Sequence, residues 1–216
     1  MHRRVAAVVA GVLMVGLPSA GALAQGISHR PSVGVMAGVN LASISGEDIS
    51  GIDNRTGFLA GVFLTFHVTN TFAIQPEAIY SQKGASDNSD PDFKATFKMD
   101  YVDFPVLLRF DIPVTGPIRP FFVAGPAFGV QVKCAIAAEG SGVSASADCD
   151  LVDESSEIQF RKKSFDLSGV AGAGLDFELG GTTLMVGARY EHGLTDVVQD
   201  GSIKNRTWSV VGGVTF

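Results

Sequence analysis

Beyond its first two dozen residues the chain offers three histidines (His29, His67, His192), two cysteines (Cys134, Cys149) and singly scattered carboxylates and cations. A serine hydrolase needs Ser, His and a carboxylate within mutual reach. His192 has Glu191 beside it, but consecutive side chains of an extended segment point to opposite sides, and the next serine, Ser202, lies in the following loop. A protease built on carboxylates would need Asp-Asp and Asp-His pairs, which do not occur. Two thiols without a CxxC partner make an improbable metal site. The Gly169–Gly174 stretch opens no helix, so it cradles no phosphate. The acidic stretches Asp87–Asp92 and Asp148–Glu157 lack calcium-loop spacing. No catalytic residue, cofactor or metal ligand is expected, and no enzyme.

What remains chemically is charge. Glu77, Lys83, Asp103, Arg109, Asp166, Asp176, Arg189 and Glu191 all fall on the polar side of alternating segments, so the segments decide what those charges do. The 216 residues are 46% hydrophobic and only 18% charged, with 26 Gly, which is too apolar for a disordered chain. The formal net charge of −6 argues against a nucleic-acid partner, which needs a basic face. After the first two dozen residues no apolar run is long enough for a membrane-spanning helix.

The first segment reads as a leader. Arg3 and Arg4 precede an apolar stretch from Val5 to Leu17, then Pro18 and the small-x-small sequence Ala22-Leu23-Ala24. Residues 1–24 are expected to be a cleaved signal peptide and residues 25–216 the exported domain, starting at Gln25. Export places Cys134 and Cys149 in an oxidising compartment, where one disulfide within a single loop is expected.

The exported part resolves into eight segments of period-two alternation. They run Ser32–Leu41, Gly57–Val68, Phe72–Lys83, Met99–Phe110, Phe121–Lys133, Phe165–Phe177, Thr183–His192 and Asn205–Phe216. In the second, Phe58, Ala60, Val62, Leu64, Phe66 and Val68 share one parity; in the fourth, Val102, Phe104, Val106, Leu108 and Phe110 oppose Tyr101, Asp103 and Arg109. Connections alternate long and short. Ala42–Thr56, Gly84–Lys98, Cys134–Ser164 and Gly193–Lys204 are long, while Thr69–Thr71, Asp111–Pro120 and Glu178–Thr182 are short turns. The predicted fold is all-β: an eight-stranded antiparallel up-and-down transmembrane barrel, with short turns in the periplasm and long loops outside. The terminal Phe216 resembles the aromatic signal by which such barrels are recognised for assembly.

The rival is a secreted soluble barrel with its apolar parity inside, holding a small apolar ligand. That would turn Gly34, Gly38, Gly61, Gly172, Gly174, Gly187 and Gly213 to water, an odd surface for a soluble sheet. A narrow lumen accepts them well. Phe58, Phe72, Tyr80, Phe110, Phe122, Tyr190, Trp208 and Phe216 also lie near segment ends, as interfacial girdles do. The membrane reading is preferred. Pro76, Pro105 and Pro126 fit badly, since proline removes a ladder donor, and three bulges or kinks are expected there.

Those prolines sit in recognisable segments. Gln75–Gly84 (QPEAIYSQKG), Tyr101–Phe110 (YVDFPVLLRF), Pro120–Gly129 (PFFVAGPAFG), Gly172–Phe177 (GAGLDF) and Gly187–Glu191 (GARYE) together resemble the PorT-like family of outer-membrane β-barrel proteins. The resemblance spans the exported chain and implies an eight-stranded outer-membrane barrel. The family's name-giving member is associated with protein export across the outer membrane, a role most relatives have not been assigned.

In an eight-strand ring the third and seventh strands face one another. Arg189 is therefore expected to pair across the lumen with Glu77 or Asp103, and Arg109 with Asp176, while Glu191 completes the candidate network. The expected function is structural or interaction-based, by display of outer loops, with a secretion accessory, an adhesin and a weakly conducting pore left open. Expected partners are outer-membrane lipid and lipopolysaccharide, the assembly machinery during biogenesis, and an unidentified protein at the loops.

Overall fold

The computed structural model describes residues 31–45, 53–90, 93–140, 143–149, 165–195 and 204–216. The leader, His29, the Pro91–Asp92 end of the first acidic stretch and most of the second lie outside these residues. Nine strands account for almost all of the described chain: β1 Ser32–Ser45, β2 Asp53–His67, β3 Phe72–Asp90, β4 Phe93–Asp111, β5 Ile118–Gly140, β6 Val143–Asp148, β7 Phe165–Leu179, β8 Thr182–Gly193 and β9 Lys204–Thr215. The sheet order is β4-β3-β2-β1-β9-β8-β7-β5-β6, and an additional β4–β5 pairing closes it. Eight strands form the ring, every pair antiparallel; β6 stands outside it, paired only with the upper part of β5. Closure satisfies the backbone groups that hydrocarbon would leave without partners.

The side chains are sorted inside out. Val210, Leu108 and Val62 are 62%, 66% and 52% exposed, whereas Lys83, Gln75 and Asn40 are fully buried. The apolar parity thus covers the outer wall along every ring strand, the reverse of the sorting that a soluble apolar-binding barrel needs. Aromatic pairs mark both borders of that wall. Phe72 and Phe110 lie 5.1 Å apart near the short turns, and Tyr190 and Trp208 lie 4.8 Å apart near the other end. Phe72 and Tyr80 are separated along β3, as are Trp208 and Phe216 along the end of the chain, by about 26 Å of strand. At a tilt near 40° that is roughly 20 Å of bilayer, close to the height of an outer-membrane apolar band.

Three expectations need correction. The segments predicted as the Gly84–Lys98 loop and the first part of the Cys134–Ser164 loop are strand: β3 and β4 continue to Asp90 and from Phe93, and β5 and β6 form a further hairpin. Their polar sequence lacks an alternating apolar pattern because it stands above the lipid, where neither face must be greasy. Second, the prolines cause no slip of register. Pro76 faces Val106, Pro105 faces Ala127 and Pro126 faces Gly169, and the ladders keep step on both sides. All three cluster at one level on β3, β4 and β5, so a single local band lacks ladder donors. The register shifts fall instead between Asn54 and Leu59, Asp87 and Asp90, and Asp100 and Tyr101. Third, the lumen is not filled by glycine and charge alone. Met36, Leu59, Phe63, Ile79, Leu107, Phe121, Val123, Met185 and Val211 make a buried apolar cluster on the inward parity.

That cluster explains two glycines. A Cβ on Gly34 would overlap the Phe63 ring, and one on Gly174 would overlap the Phe121 ring. Gly34 is the ladder partner of Phe63 and Gly174 that of Phe121, so each large inward ring lies over a neighbouring strand that carries no side chain there. At the β7–β8 turn Gly180 and Gly181 take φ of 56° and 101°, the left-handed pair required by a two-residue hairpin loop.

Candidate functional site

The candidate charges meet inside the ring in tiers. The middle tier joins β8 to β3, which lie four strands apart in either direction and so face each other across the lumen. Arg189 Nη1 is 2.6 Å from Glu77 Oε2 and its Nη2 donates to Oε1 at 2.9 Å; Gln75 Nε2 also donates to Oε1 at 2.7 Å. Of the two partners expected for Arg189, Glu77 is the one it meets. This is a bidentate fork with the planar match that arginine provides and lysine does not.

Asp103 belongs to the tier above, where Lys83 Nζ lies 2.9 Å from its carboxylate and 2.6 Å from Glu191. Ser168 donates to Glu191 at 2.7 Å, and Lys83 sits 5.2 Å from the Tyr101 ring centroid. Lys83 thus ties adjacent β4 and opposite β8 to β3. Higher still, Asp166 accepts from Thr195 at 2.7 Å and Asn205 at 3.1 Å. The sequence reading placed Lys83 and Asp166 inward but left them out of the paired network. Their signal was the same parity that identified the others.

The lowest tier is built on Arg109. It pairs with Asp176, donates from Nε to Asp111 at 2.8 Å, and stacks 3.9 Å from the Phe121 ring centroid. Below it a polar cavity of about 490 Å³ is lined by Thr65, His67, Arg109, Asp111, Arg119 and Asp176 among others, at the end bearing the short turns. The alternation predicts a turn starting at Asp111; the residue instead ends β4, and His67 Nε2 lies 3.8 Å from its second oxygen.

Ser168 and His192 do not form the serine–histidine pair of a hydrolase. Ser168 donates to a carboxylate already occupied by Lys83, not to a histidine. His192 faces outward, where its Nδ1 lies 3.4 Å from the Tyr190 hydroxyl. Among the described residues no group of three or more His, Cys, Asp or Glu could hold a metal ion.

Outside the ring, Cys134 and Cys149 are bonded, with Cα atoms 5.4 Å apart. The bond joins β5 to the residue after β6 at the base of the extra hairpin. Phe216 follows β9, 72% exposed on the outer wall, with its N–H donating to Val33 O at 2.9 Å, so the last residue is held in the β1 ladder.

The model of a family described as outer membrane protein beta-barrel domain matches residues 23–199. The chain belongs to that family. This outer-membrane barrel is also similar in fold to solved structures at low identity. Ail, the attachment invasion locus protein of Yersinia pestis, is 16% identical, with 87% of this chain and 100% of that one covered and a TM-score of 0.47. OprG of Pseudomonas aeruginosa is 12% identical, with 87% and 97% covered and a TM-score of 0.49. The outer membrane enzyme PagL is 15% identical, with 83% and 97% covered and a TM-score of 0.41. No curated protein matches the sequence. Likeness at this level says nothing of activity, since one barrel architecture carries unrelated functions.

Proposed function

We propose that this outer-membrane barrel is a non-enzymatic display protein whose working surface is the plate formed above the lipid by the upper parts of β3, β4 and β5 with β6. The observation that carries this reading is asymmetric height. Strands β3, β4 and β5 run for 19, 19 and 23 residues, against 12 to 15 for the other ring strands. A membrane span needs only about 9 to 11 residues. The surplus strand builds a stiff surface on one side of the mouth, with the Cys134–Cys149 bond fixing its outermost hairpin. A rigid plate loses little conformational entropy when a partner docks, which suits recognition. The filled lumen supports the same reading against a conducting pore.

The partner at the plate is an extracellular protein or surface, and assembly uses the lipid-facing aromatic Phe216 after β9. The chain is a PorT-like member of its family, in keeping with the shared segments from Gln75 to Glu191. The test replaces Ala135–Asp148 by a short Gly-Ser turn. The shortened protein should still reach the outer membrane and migrate differently boiled and unboiled. Cells carrying it should lose adherence to the surfaces that wild-type cells bind. Unchanged adherence across abiotic, sister-cell and host-cell surfaces refutes display by the plate. Accumulation of exported cargo in the periplasm would favour the secretion-accessory alternative.

A further inference from the structure

The outward column of β9 changes chemistry with height. Val210 is 62% exposed, Trp208 is 59% exposed, and Arg206 and Lys204 follow at the next two outward positions. Each outward step is two residues, about 7 Å along the strand. The column therefore runs from hydrocarbon to interfacial aromatic to cation, in the order in which an outer-leaflet lipid presents acyl chain, sugar and phosphate. On β8 the register sets Tyr190 beside Trp208 and His192 beside Arg206, and on β1 it sets Leu41 beside Trp208 and Ser43 beside Arg206.

The patch is organised before any ligand arrives. The Tyr190 and Trp208 rings lie 4.8 Å apart, the His192 ring stacks on Tyr190 at 6.2 Å, and the Tyr190 hydroxyl is 3.4 Å from His192 Nδ1. When the Tyr190 hydroxyl donates to Nδ1, the ring proton sits on Nε2 as a donor. Of the inward cations, Lys83, Arg109 and Arg189 have carboxylate partners and Arg55 donates to the Lys83 carbonyl, while exposed Arg119 has Glu178. Among the described residues Arg206, Lys204 and His192 have no carboxylate partner. The opposite wall differs: there Tyr80 donates to Asp100 at 2.8 Å, and Lys133 stands opposite Asp100 in the β4–β5 ladder.

We propose that the Lys204–Arg206–His192 face, with Tyr190 and Trp208 beneath it, binds the phosphorylated headgroup of an outer-leaflet glycolipid of the lipid A type. Arg206 forks two N–H groups onto one phosphate, His192 Nε2–H supplies a third donor, and Lys204 adds charge. Trp208 and Tyr190 lie along the sugar and the start of the acyl chains. The site rests on the reading that the long-loop end faces outside.

Native mass spectrometry of the folded protein in micelles tests this with three probes: diphosphoryl lipid A, the same lipid with both phosphates removed, and inorganic phosphate. Wild type should bind diphosphoryl lipid A at least about tenfold more tightly than the dephosphorylated lipid. Lys204→Gln with Arg206→Gln should abolish that preference, His192→Gln should weaken it, and Lys133→Gln on the far wall should leave it intact. Equal binding of both lipids, or an unaltered double variant, overturns the proposal. So does equal loss in Lys133→Gln, which would mean diffuse charge attraction. Full competition by millimolar inorganic phosphate would instead make this a site for a free anion and also overturn it. Orientation is read separately, by labelling Ser146→Cys with an impermeant reagent on intact cells. Failure there refutes the display reading and with it the outer-leaflet placement of the site, whereas loss of the lipid preference in micelles with orientation intact overturns the headgroup site alone.

Discussion

Cutting the pair that spans the lumen should be among the most damaging single changes in the barrel. Glu77 has a 0% exposed side chain and Arg189 one that is 8% exposed. Arg189→Ala leaves the Glu77 carboxylate with Gln75, at 2.7 Å, as its one remaining side-chain donor among the described residues. A buried charge deprived of its ion partner costs about 3 to 5 kcal/mol. Glu77→Gln keeps the shape and orphans the guanidinium instead, at similar cost. Replacing both together, Arg189→Met with Glu77→Leu, removes the two desolvated charges and should fall within about 2 kcal/mol of wild type or above it. With the matching singles Arg189→Met and Glu77→Leu, which orphan the same two charges at about 3 to 5 kcal/mol each, the cycle yields a coupling of at least about 3 kcal/mol. Trp208, the chain's single tryptophan and 59% exposed on the outer wall, is a built-in probe for urea unfolding of the protein folded into phospholipid vesicles. Single variants that lose less than about 1 kcal/mol, with coupling equally small, are what solvated surface pairs give. That result would mean water reaches the tier, and the reasoning from a closed lumen would be refuted.

Other perturbations separate further parts of the design. Arg119→Ala breaks a 2.7 Å pair whose side chains are 42% and 49% exposed, so the same urea assay should show no more than about 0.5 kcal/mol. Gly34→Ala should destabilise by about 1 to 3 kcal/mol through overlap with the Phe63 ring, and Phe63→Leu in the same chain should recover much of that loss. Cys134→Ser with Cys149→Ser opens a link of sequence separation 15, worth about 3 kcal/mol to the hairpin by loop entropy; limited proteolysis should then cut between β5 and β7 while the unboiled barrel band persists. Deleting Phe216 should lower outer-membrane levels in cells yet leave vesicle refolding nearly unchanged, because its N–H adds one bond to the ladder with Val33. In planar bilayers the wild-type protein should give no steady conductance, since Phe63, Phe121, Leu107 and Met185 fill the ring between the lower and middle tiers.

What could be read in the sequence follows from where lipid makes demands. Bilayer touches one parity of every ring strand, so Val62, Leu108, Val186 and Val210 had to be apolar and the eight-strand pattern stood out. Above the bilayer that demand ends. Residues 85–90 and 143–148 are strand because they pair with β4 and β5, with no alternation to announce them. The inward parity was harder for a related reason: a lumen has to be filled, and either charge or hydrocarbon will fill it. Pairing of Arg189 and Arg109 was legible because their parity and strand number fixed which wall they faced. The apolar cluster left a fainter trace in doublets such as Leu107-Leu108, Phe121-Phe122 and Val210-Val211, where both faces are greasy within a segment that otherwise alternates. Each doublet puts one side chain in lipid and the other in the lumen.

The two fillings have different consequences. Apolar side chains exclude water from the middle of the ring, and exclusion makes the neighbouring ion pairs costly to break. Those pairs in turn fix which strands oppose, since Arg189 reaches Glu77 only if β8 and β3 are diametric and in this register. A uniformly greasy lumen would tolerate a slipped strand. A slip of one residue here would put Arg189 into lipid and Tyr190 into the lumen. The charge tiers are thus best understood as devices that specify closure and register, which leaves recognition to the surfaces above the ring.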